Sequence, residues 1–302
     1  MQTVRQVFVT GATGFVGHAV VQRLCAAGHV VRCLVRHGSE ADLRGHEAIA
    51  RIEGDVVTRQ GLEEGMAGCD TVIHLVGIIR ERRGAGVTFE RVHLDGTRHV
   101  LEAVARAGIR RYVHMSALGT RAGAASRYHQ TKWAAEEAVR ASGLEWTIFR
   151  PSIIYGRGDG FVSMLASMVR RLPAVPVIGS GRQRVQPVPV EQVAKGFVRA
   201  LELPASVKQV YEVGGPQPVT ILELLDLIGR ALGRRHVTKI HVPVGVMSPI
   251  ARVFHPLPGF PVTPDQLQML GEDSVCDPAP FFETFGLQPE PLATGLERML
   301  ST

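Results

Sequence analysis

A chain of 302 residues, 45% of them apolar, has the composition of a globular protein and the length for one large domain or two lobes. Lys and Arg exceed Asp and Glu by 34 − 28 = 6, a mild, scattered excess that suits an anionic ligand or an acidic surface. It excludes a nucleic-acid binder, which needs a clustered basic stripe.

No apolar run reaches the ~18 residues of a membrane-spanning helix. The first strand is expected within a few residues of Met1, with no signal or transit peptide before it. Cys25, Cys33, Cys69 and Cys276 show no C-x-x-C or metal-ligand spacing, so no metal site is expected. Three of them lie in apolar segments and read as small buried hydrophobes, and the set reads as belonging to a reducing, cytoplasmic compartment.

Val4-Arg5-Gln6-Val7-Phe8-Val9 is β-branched and apolar and predicts a buried strand. Thr10-Gly11-Ala12-Thr13-Gly14-Phe15-Val16-Gly17 follows, and His18 to Ala27 then carries Ala19, Val20, Leu24 and Ala27 at helical spacing. The glycines therefore sit on a strand-to-helix turn, the place of a phosphate-binding loop. Gly11 lets the chain turn tightly, Gly14 admits a pyrophosphate close to the backbone, and Gly17 lets the helix pack on the strand. Thr13, Phe15 and Val16 complete the turn, and the N–H groups at the start of the helix face the anion. The spacing is G-x-x-G-x-x-G rather than the commoner G-x-G-x-x-G.

Val30 to Val35 predicts a second strand and Ala48 to Ile52 a third, ending at Glu53-Gly54-Asp55. Gln60 to Ala67 predicts a short helix, and Thr71 to Val76 a fourth strand. Gly77 to Val87, rich in Gly and Arg, is a candidate lid. Phe89 to Ala107 predicts one long helix, Arg111 to Ser116 a fifth strand, and Tyr128 to Ala141 a helix rich in Ala and Glu. Trp146 to Phe149 predicts a sixth strand, stopped by Arg150-Pro151. This alternation predicts an α/β fold, a doubly wound parallel sheet with ligands at the carboxyl ends of its strands. After Pro151 prolines break the rhythm, so residues 1–155 are expected as the dinucleotide-binding domain and 156–302 as a smaller C-terminal substrate lobe. Some of that lobe returns to the sheet, with Gln209 to Val213 as a further strand and Ile221 to Leu232 as an amphipathic helix. The apolar run Pro243 to Phe254 and the prolines Pro256, Pro258, Pro261 and Pro264 leave two readings open. One is a core helix with a wrapped surface loop. The other, through 243–264, is an apolar patch for a membrane surface or a partner.

The end of the second strand bears on which dinucleotide is held. An NAD-preferring loop places an Asp or Glu there to hold the ribose 2′-hydroxyl. Here the chain reads Cys33-Leu34-Val35-Arg36-His37, and Arg36 can fork onto a 2′-phosphate, which favours NADP(H) over NAD(H). Asp55 can accept from the adenine amino group while Val56 packs on the ring. Leu75, Val76 and Gly77 line the ribose on the nicotinamide side.

Ser116 ends the fifth strand, and Tyr128 and Lys132, four apart, share a helix face. A lysine ammonium beside a phenol lowers the phenol's pKa, so Tyr128 can exchange a proton near neutrality. Ser116 can bond a substrate oxygen, and Lys132 can also hold the ribose.

Thr10-Gly11-x-x-Gly14-Phe15-Val16-Gly17, Gly54-Asp55, Ser116, Tyr128-x-x-x-Lys132 and Arg150-Pro151-Ser152-Ile153-Ile154-Tyr155-Gly156 resemble the extended short-chain dehydrogenase/reductase superfamily. Ser126-Arg127-Tyr128, Phe161 to Met168, Gln186 to Ala194 and Val262 to Leu267 resemble its atypical branch. That branch includes the nucleotide-binding accessory subunit of mitochondrial respiratory complex I. The resemblance implies a Rossmann domain holding NADP(H), Pro151 and Ile153 packed by the nicotinamide, and a Ser-Tyr-Lys site. Its substrate is then a small-molecule carbonyl or alcohol, or a nucleotide sugar as in epimerase-like members, for which Arg182 and Arg184 are the nearest cations. It also implies an alternative, a non-catalytic nucleotide-holding accessory or assembly protein of a respiratory (complex I-like) or quinone-related system, peripheral to the inner face of a membrane and contacting it or the complex through 243–264. One departure stands out. Typical extended members carry an Asn where Val92-His93-Leu94-Asp95-Gly96-Thr97 places His93, and that Asn serves a proton relay towards the lysine. His93 either substitutes for it or is a satisfied helix histidine.

Overall fold

The computed structural model describes residues 3–39, 49–254 and 262–301, with the backbone alone at 252 and 254. Ala48, Pro256, Pro258 and Pro261 therefore lie outside the described residues, as does the side chain of Phe254.

The chain opens with β1 (Gln6–Thr10), α1 (Phe15–Ala26), β2 (Val30–Val35), β3 (Ala50–Glu53), α2 (Leu62–Met66) and β4 (Thr71–His74). Next come α3 (Gly96–Arg106), β5 (Arg111–Met115), α4 (Arg127–Ala141) and β6 (Glu145–Pro151). The remainder comprises β7 (Ile154–Tyr155), α5 (Val162–Arg171), β8 (Val175–Ile178), β9 (Arg184–Val185), β10 (Val188–Pro189), α6 (Val190–Ala200), β11 (Gln209–Val213) and β12 (Val219–Thr220). It ends with α7 (Ile221–Ala231), β13 (Lys239–Val242), α8 (Val244–Phe254), α9 (Pro264–Leu270), α10 (Ala279–Thr284) and α11 (Leu292–Leu300).

Seven strands form one sheet in the order β11-β6-β5-β4-β1-β2-β3. The ladders from β3 to β6 are all parallel. β11 continues that direction, since Lys208 N bonds Trp146 O and Ser152 N bonds Val213 O. The chain is thus the doubly wound α/β Rossmann fold expected from its strand–helix alternation, with the order reversing beside β1. Phe8, Val72, Tyr112 and Trp146 stand on one face of the sheet and are covered by Val100 and Val104 of α3 and Val139 of α4. Burying each such side chain stabilises the fold by about 1.5–3 kcal/mol.

Two elements differ from expectation. The strand expected to stop before Arg150 runs through Pro151. Pro151 has no N–H to give, and the pairing with β11 is carried on by Ser152 N, which donates to Val213 O. The long helix expected from Phe89 is split. Glu90–Asp95 forms a wide π turn before α3 begins. Within that turn three consecutive residues, Val92, His93 and Leu94, are all buried.

The structure divides into two compact units. The first comprises Met1–Arg150, Val190–Tyr211 and Glu283–Leu287, and the second Pro151–Pro189, Glu212–Phe282 and Gln288–Thr302. The second unit has its own core, in which Val162, Leu165 and Val169 of α5 meet Leu224 and Ile228 of α7 and Leu296 of α11. In it β13 pairs with β8 in parallel, and α8 follows. α8 turns Met247 and Ala251 inward, onto Ile178, Val262 and Leu267. Val246, Pro249, Ile250 and Val253 face outward, so α8 has both a packed side and an exposed apolar side, while the loop expected at 255–261 lies outside the described residues. Among the described residues no helix is long and apolar enough to cross a membrane.

Candidate functional site

The turn after β1 is built from backbone. Gly11 has φ +75°, and a Cβ on it would stand 3.0 Å from Leu75 C and 3.1 Å from Val76 N. The end of β4 thus lies against the turn, where only glycine fits. A Cβ on Gly17 would lie 2.0 Å from Gly11 O and 2.8 Å from Ala12 Cα. Gly17 therefore admits the turn's own backbone onto α1, rather than the strand as expected. Gly14 is the exposed N-cap of α1; its N–H bonds Gly11 O at 3.1 Å. α1 has no side-chain cap and no acidic residue in its first turn. Its leading N–H groups and positive dipole end thus keep the anion-receiving character of a bare helix N-terminus. Thr13 and Phe15 are half-buried beside it, and Val16 is buried.

The other cofactor candidates sit at the ends of neighbouring strands. Arg36 is exposed just after β2, and among the described residues no carboxylate pairs with it. Glu53, at the end of β3, is instead beside His37 at 3.3 Å. Arg32 donates to Ala67 O at 2.6 Å, at the end of α2. Asp55 stands in a tight turn in which its Oδ1 accepts from Val57 N at 2.6 Å. Gly54 is needed there because a Cβ would meet Gln60 O at 2.0 Å. Val56 is buried, packed towards Gly96. Leu75 N continues the β1 ladder onto Thr10 O at 3.1 Å. Pro151 closes β6, and Ile153 O accepts from Val188 N at 2.9 Å within the second unit.

Of the three residues expected to carry chemistry, Lys132 and Ser116 stand at the ends of β4 and β5. Lys132 is 2% exposed, and its Nζ donates to Met115 O at 3.1 Å and to Val76 O at 3.4 Å. A Cβ on Gly77 would stand 3.1 Å from that Nζ, so the glycine makes room for the ammonium. Ser116, next to Met115, is buried; its N–H bonds Phe149 O at 2.7 Å and its hydroxyl lies 3.4 Å from Thr120 Oγ1. Tyr128 stands at the start of α4, which Ser126 caps through His129 N. Among the described residues its hydroxyl has no hydrogen-bond partner. The electrostatics run against the expected phenol. Burial pushes the Tyr128 hydroxyl up to about 12, and burial brings the Lys132 ammonium down to about 8, with the Glu136 charge opposing. Desolvation of both groups outweighs their mutual effect.

His93 is a satisfied buried histidine. Its Nε2 lies 3.0 Å from Ile78 N and 3.1 Å from Ile78 O, and its Nδ1 lies 2.9 Å from Thr131 Oγ1, which itself lies within bonding distance of the Arg127 and Tyr128 carbonyls. Burial, and then the charge of Lys132, hold its pKa at about 2. Its ring meets that of Tyr128 edge-on, centroids 5.3 Å apart.

Two features escaped the sequence reading. A buried polar ladder links the sheet to the π turn: Thr10 Oγ1 to His74 Nδ1 at 2.6 Å, His74 Nε2 to Thr97 Oγ1 at 3.2 Å, and Thr97 Oγ1 to His93 O at 2.6 Å. Glu136, fully buried on α4, receives Arg150 from β6 and Arg140 from its own helix. An acid one turn after Lys132 was the available signal. In the Gly77–Val87 segment, Arg82 and Val87 exchange both backbone hydrogen bonds, and Glu81 receives Phe89 N and Arg83.

Comparison with known proteins accords with this geometry. A family described as NAD(P)H-binding matches residues 11–202. The mitochondrial NADH dehydrogenase (ubiquinone) 1 alpha subcomplex subunit 9 of Mus musculus is 32% identical over 294 residues, covering 94% of this chain and 76% of its own length. A ceramide reductase of Caulobacter vibrioides is 36% identical over 198 residues, covering 66% of this chain and 61% of its own. The solved UDP-glucose 4-epimerase of Thermotoga maritima superposes with a TM-score of 0.78 over 98% of this chain and 97% of its own, at 21% identity, a likeness of fold. With a glycine turn that only a bare backbone can make and a family match spanning it, the chain belongs to the NAD(P)H-binding Rossmann family and is homologous to that NADH dehydrogenase subunit.

Proposed function

We propose that the protein is an NADP(H)-dependent oxidoreductase of the extended short-chain dehydrogenase/reductase type, acting on a small-molecule carbonyl or alcohol. The observation that carries the reading is the ammonium of Lys132, held by Val76 O and Met115 O between the ends of β4 and β5 and on the helix of Tyr128. Gly11, Gly14 and Gly17, with the start of α1, would hold the pyrophosphate, Arg36 the 2′-phosphate, and Asp55 and Val56 the adenine. The nicotinamide, when bound, gives or takes the hydride. Tyr128 would exchange the proton with the substrate oxygen, Ser116 would hydrogen-bond that oxygen, and Lys132 would favour the phenolate and anchor the ribose. At about 12 the phenol is poorly placed to lose its proton, so the reading requires bound ligands to bring Lys132 and Tyr128 closer in electrostatic effect. The likeness to a ceramide reductase supports carbonyl reduction. A nucleotide-sugar substrate is less well supported, because Arg184 closes onto Asp273 through its backbone N (2.8 Å) and its Nε (2.9 Å). The free thiols of all four cysteines support a reducing, cytoplasmic setting.

A second reading rests on His93. With both ring nitrogens engaged and the ring neutral, it offers no proton relay, as suits a protein that holds its nucleotide in a respiratory assembly. NADPH oxidation against a panel of carbonyls and quinones separates the two, with Tyr128→Phe as control. The enzymatic reading expects turnover that Tyr128→Phe removes. Tight NADPH binding without turnover of any substrate overturns it in favour of the second.

A further inference from the structure

We propose that the outward face of α8, with the basic stretch leading into it, docks the protein on an anionic lipid surface. The inference concerns the second unit alone and does not depend on the cofactor reading. A surface helix ordinarily hides its apolar stripe and exposes a polar one. α8 hides Met247 and Ala251 against Ile178, Val262 and Leu267, yet Val246, Pro249, Ile250 and Val253 face solvent. Those four stand at i, i+3, i+4 and i+7 and so form one continuous stripe. Val246 is 51%, Ile250 36% and Val253 68% exposed. β13 adds to the apolar surface, since Ile240 is 58% exposed and pairs in register with Pro176, also exposed.

Charge selects the partner. From 227 to 264 the sequence has no Asp or Glu, against five Arg or Lys (Arg230, Arg234, Arg235, Lys239 and Arg252) and three His. Arg230, Arg234, Arg235, His236 and Lys239, with Asp226, line a cleft of about 380 Å³ just before β13. Asp226 is taken up by Lys239, and among the described residues no carboxylate pairs with the three arginines. An apolar stripe alone would suit many partners. A stripe continuous in sequence with unneutralised arginines fits the boundary of an anionic bilayer. There the valines and isoleucine enter the acyl region and the guanidinium groups meet lipid phosphates.

Flotation of the full chain with phosphatidylcholine vesicles, with and without phosphatidylglycerol, tests the proposal. The expected result is flotation with the anionic vesicles only, weakened by salt. Val246→Asp with Val253→Asp should abolish it, and Arg234→Gln with Arg235→Gln should weaken partitioning roughly 30-fold. All four positions are exposed, and an unchanged melting curve verifies that the variants fold. The proposal is overturned if the unmodified protein stays unbound with anionic vesicles, or if the aspartate pair floats as well as the parent. It is equally overturned if the protein fails to float and sediments as a dimer that the aspartate pair converts to monomer, which makes the stripe a contact between two copies.

Discussion

Arg150 grips both carboxylate oxygens of Glu136, Nε to Oε1 at 2.9 Å and Nη2 to Oε2 at 2.7 Å, where Glu136 has no exposed surface. The fork ties the middle of α4 to β6, one helical turn from Lys132. Arg140 closes the same carboxylate from the side, and both guanidinium groups lie over the ring of Trp133. Removing one partner of such a pair leaves a charge stranded in low dielectric. Arg150→Met should therefore cost about 3 kcal/mol of stability by denaturant unfolding. The double change Glu136→Met with Arg150→Met should recover most of that loss, since two apolar chains leave nothing unpaired. Equal losses in the single and double variants would contradict this account.

Lys132 makes stability depend on alkaline pH. Its ordinary value is 10.5 and burial lowers it to about 8 in the fold. Below about 8 both states are charged, and the fold bears the full cost of the buried ammonium. Between about 8 and 10.5 the unfolded chain holds more proton, so stability rises with pH. The gain amounts to roughly 3 kcal/mol across that window. Lys132→Met should abolish it. The difference between parent and variant, measured from pH 7 to 11, should shift by that amount in the parent's favour. A difference that stays flat would show that Lys132 is not buried as described.

His93 acts at the acid end. Its ordinary value is 6.5 and its value in the fold about 2, lowered by burial and then by Lys132. Across that window the unfolded chain takes up a proton that the fold refuses, so stability is lost as pH falls. The slope is about 1.4 kcal/mol per pH unit. His93→Asn should make the stability curve shallower by that slope between pH 6 and 4. A residual slope should remain, because burial depresses His74 and His114 as well.

The sheet was largely legible because parallel strands buried on both faces read as apolar β-branched runs. Val30–Val35 and Gln209–Val213 keep the bounds read from sequence. The glycine turn was legible too, since strand, glycines and helix follow one another in the chain. What lay out of reach depends on residues distant in sequence. At the break Glu90–Asp95, His93 meets Ile78 and Thr131, contacts that no helical period encodes. The Glu136–Arg150 fork joins a helix to a strand fourteen positions on. The raised Tyr128 phenol reflects burial, whereas spacing revealed only the neighbouring lysine. For α8, composition announced apolarity, but only packing decided which face was left outside.

Gly17 tests whether the turn is as tight as its geometry requires. A methyl group there would lie 2.0 Å from Gly11 O and 2.8 Å from Ala12 backbone, neither of which is a flexible end. The turn must move off α1 to admit it. Gly17→Ala should lose about 1–3 kcal/mol of stability from overpacking and weaken dinucleotide binding at least about tenfold. Gly28→Ala is the control for stability alone, since a Cβ there meets nothing within 4 Å although its φ is +80°. Calorimetric titration of both variants separates the effects. Unchanged binding in Gly17→Ala would remove the turn from the cofactor site.

On the proposed reading, Arg36 decides between the two dinucleotides. It stands exposed at the end of β2, where a carboxylate would hold a 2′-hydroxyl, and among the described residues no acid neutralises it. A guanidinium there gains a charge-assisted fork with a 2′-phosphate and gains little from a hydroxyl. Such a bond contributes about 1.5–3 kcal/mol, which is roughly ten- to a hundredfold in affinity. The parent should therefore bind NADPH more tightly than NADH by calorimetry. Arg36→Ala should lose that factor for NADPH and leave NADH nearly unchanged, and Arg36→Glu should reverse the preference, because the new carboxylate repels the phosphate and accepts from the hydroxyl. The NADPH advantage should shrink with added salt, since the pair is exposed. Equal or tighter binding of NADH by the parent would overturn the assignment and return Arg36 to an ordinary solvated strand end.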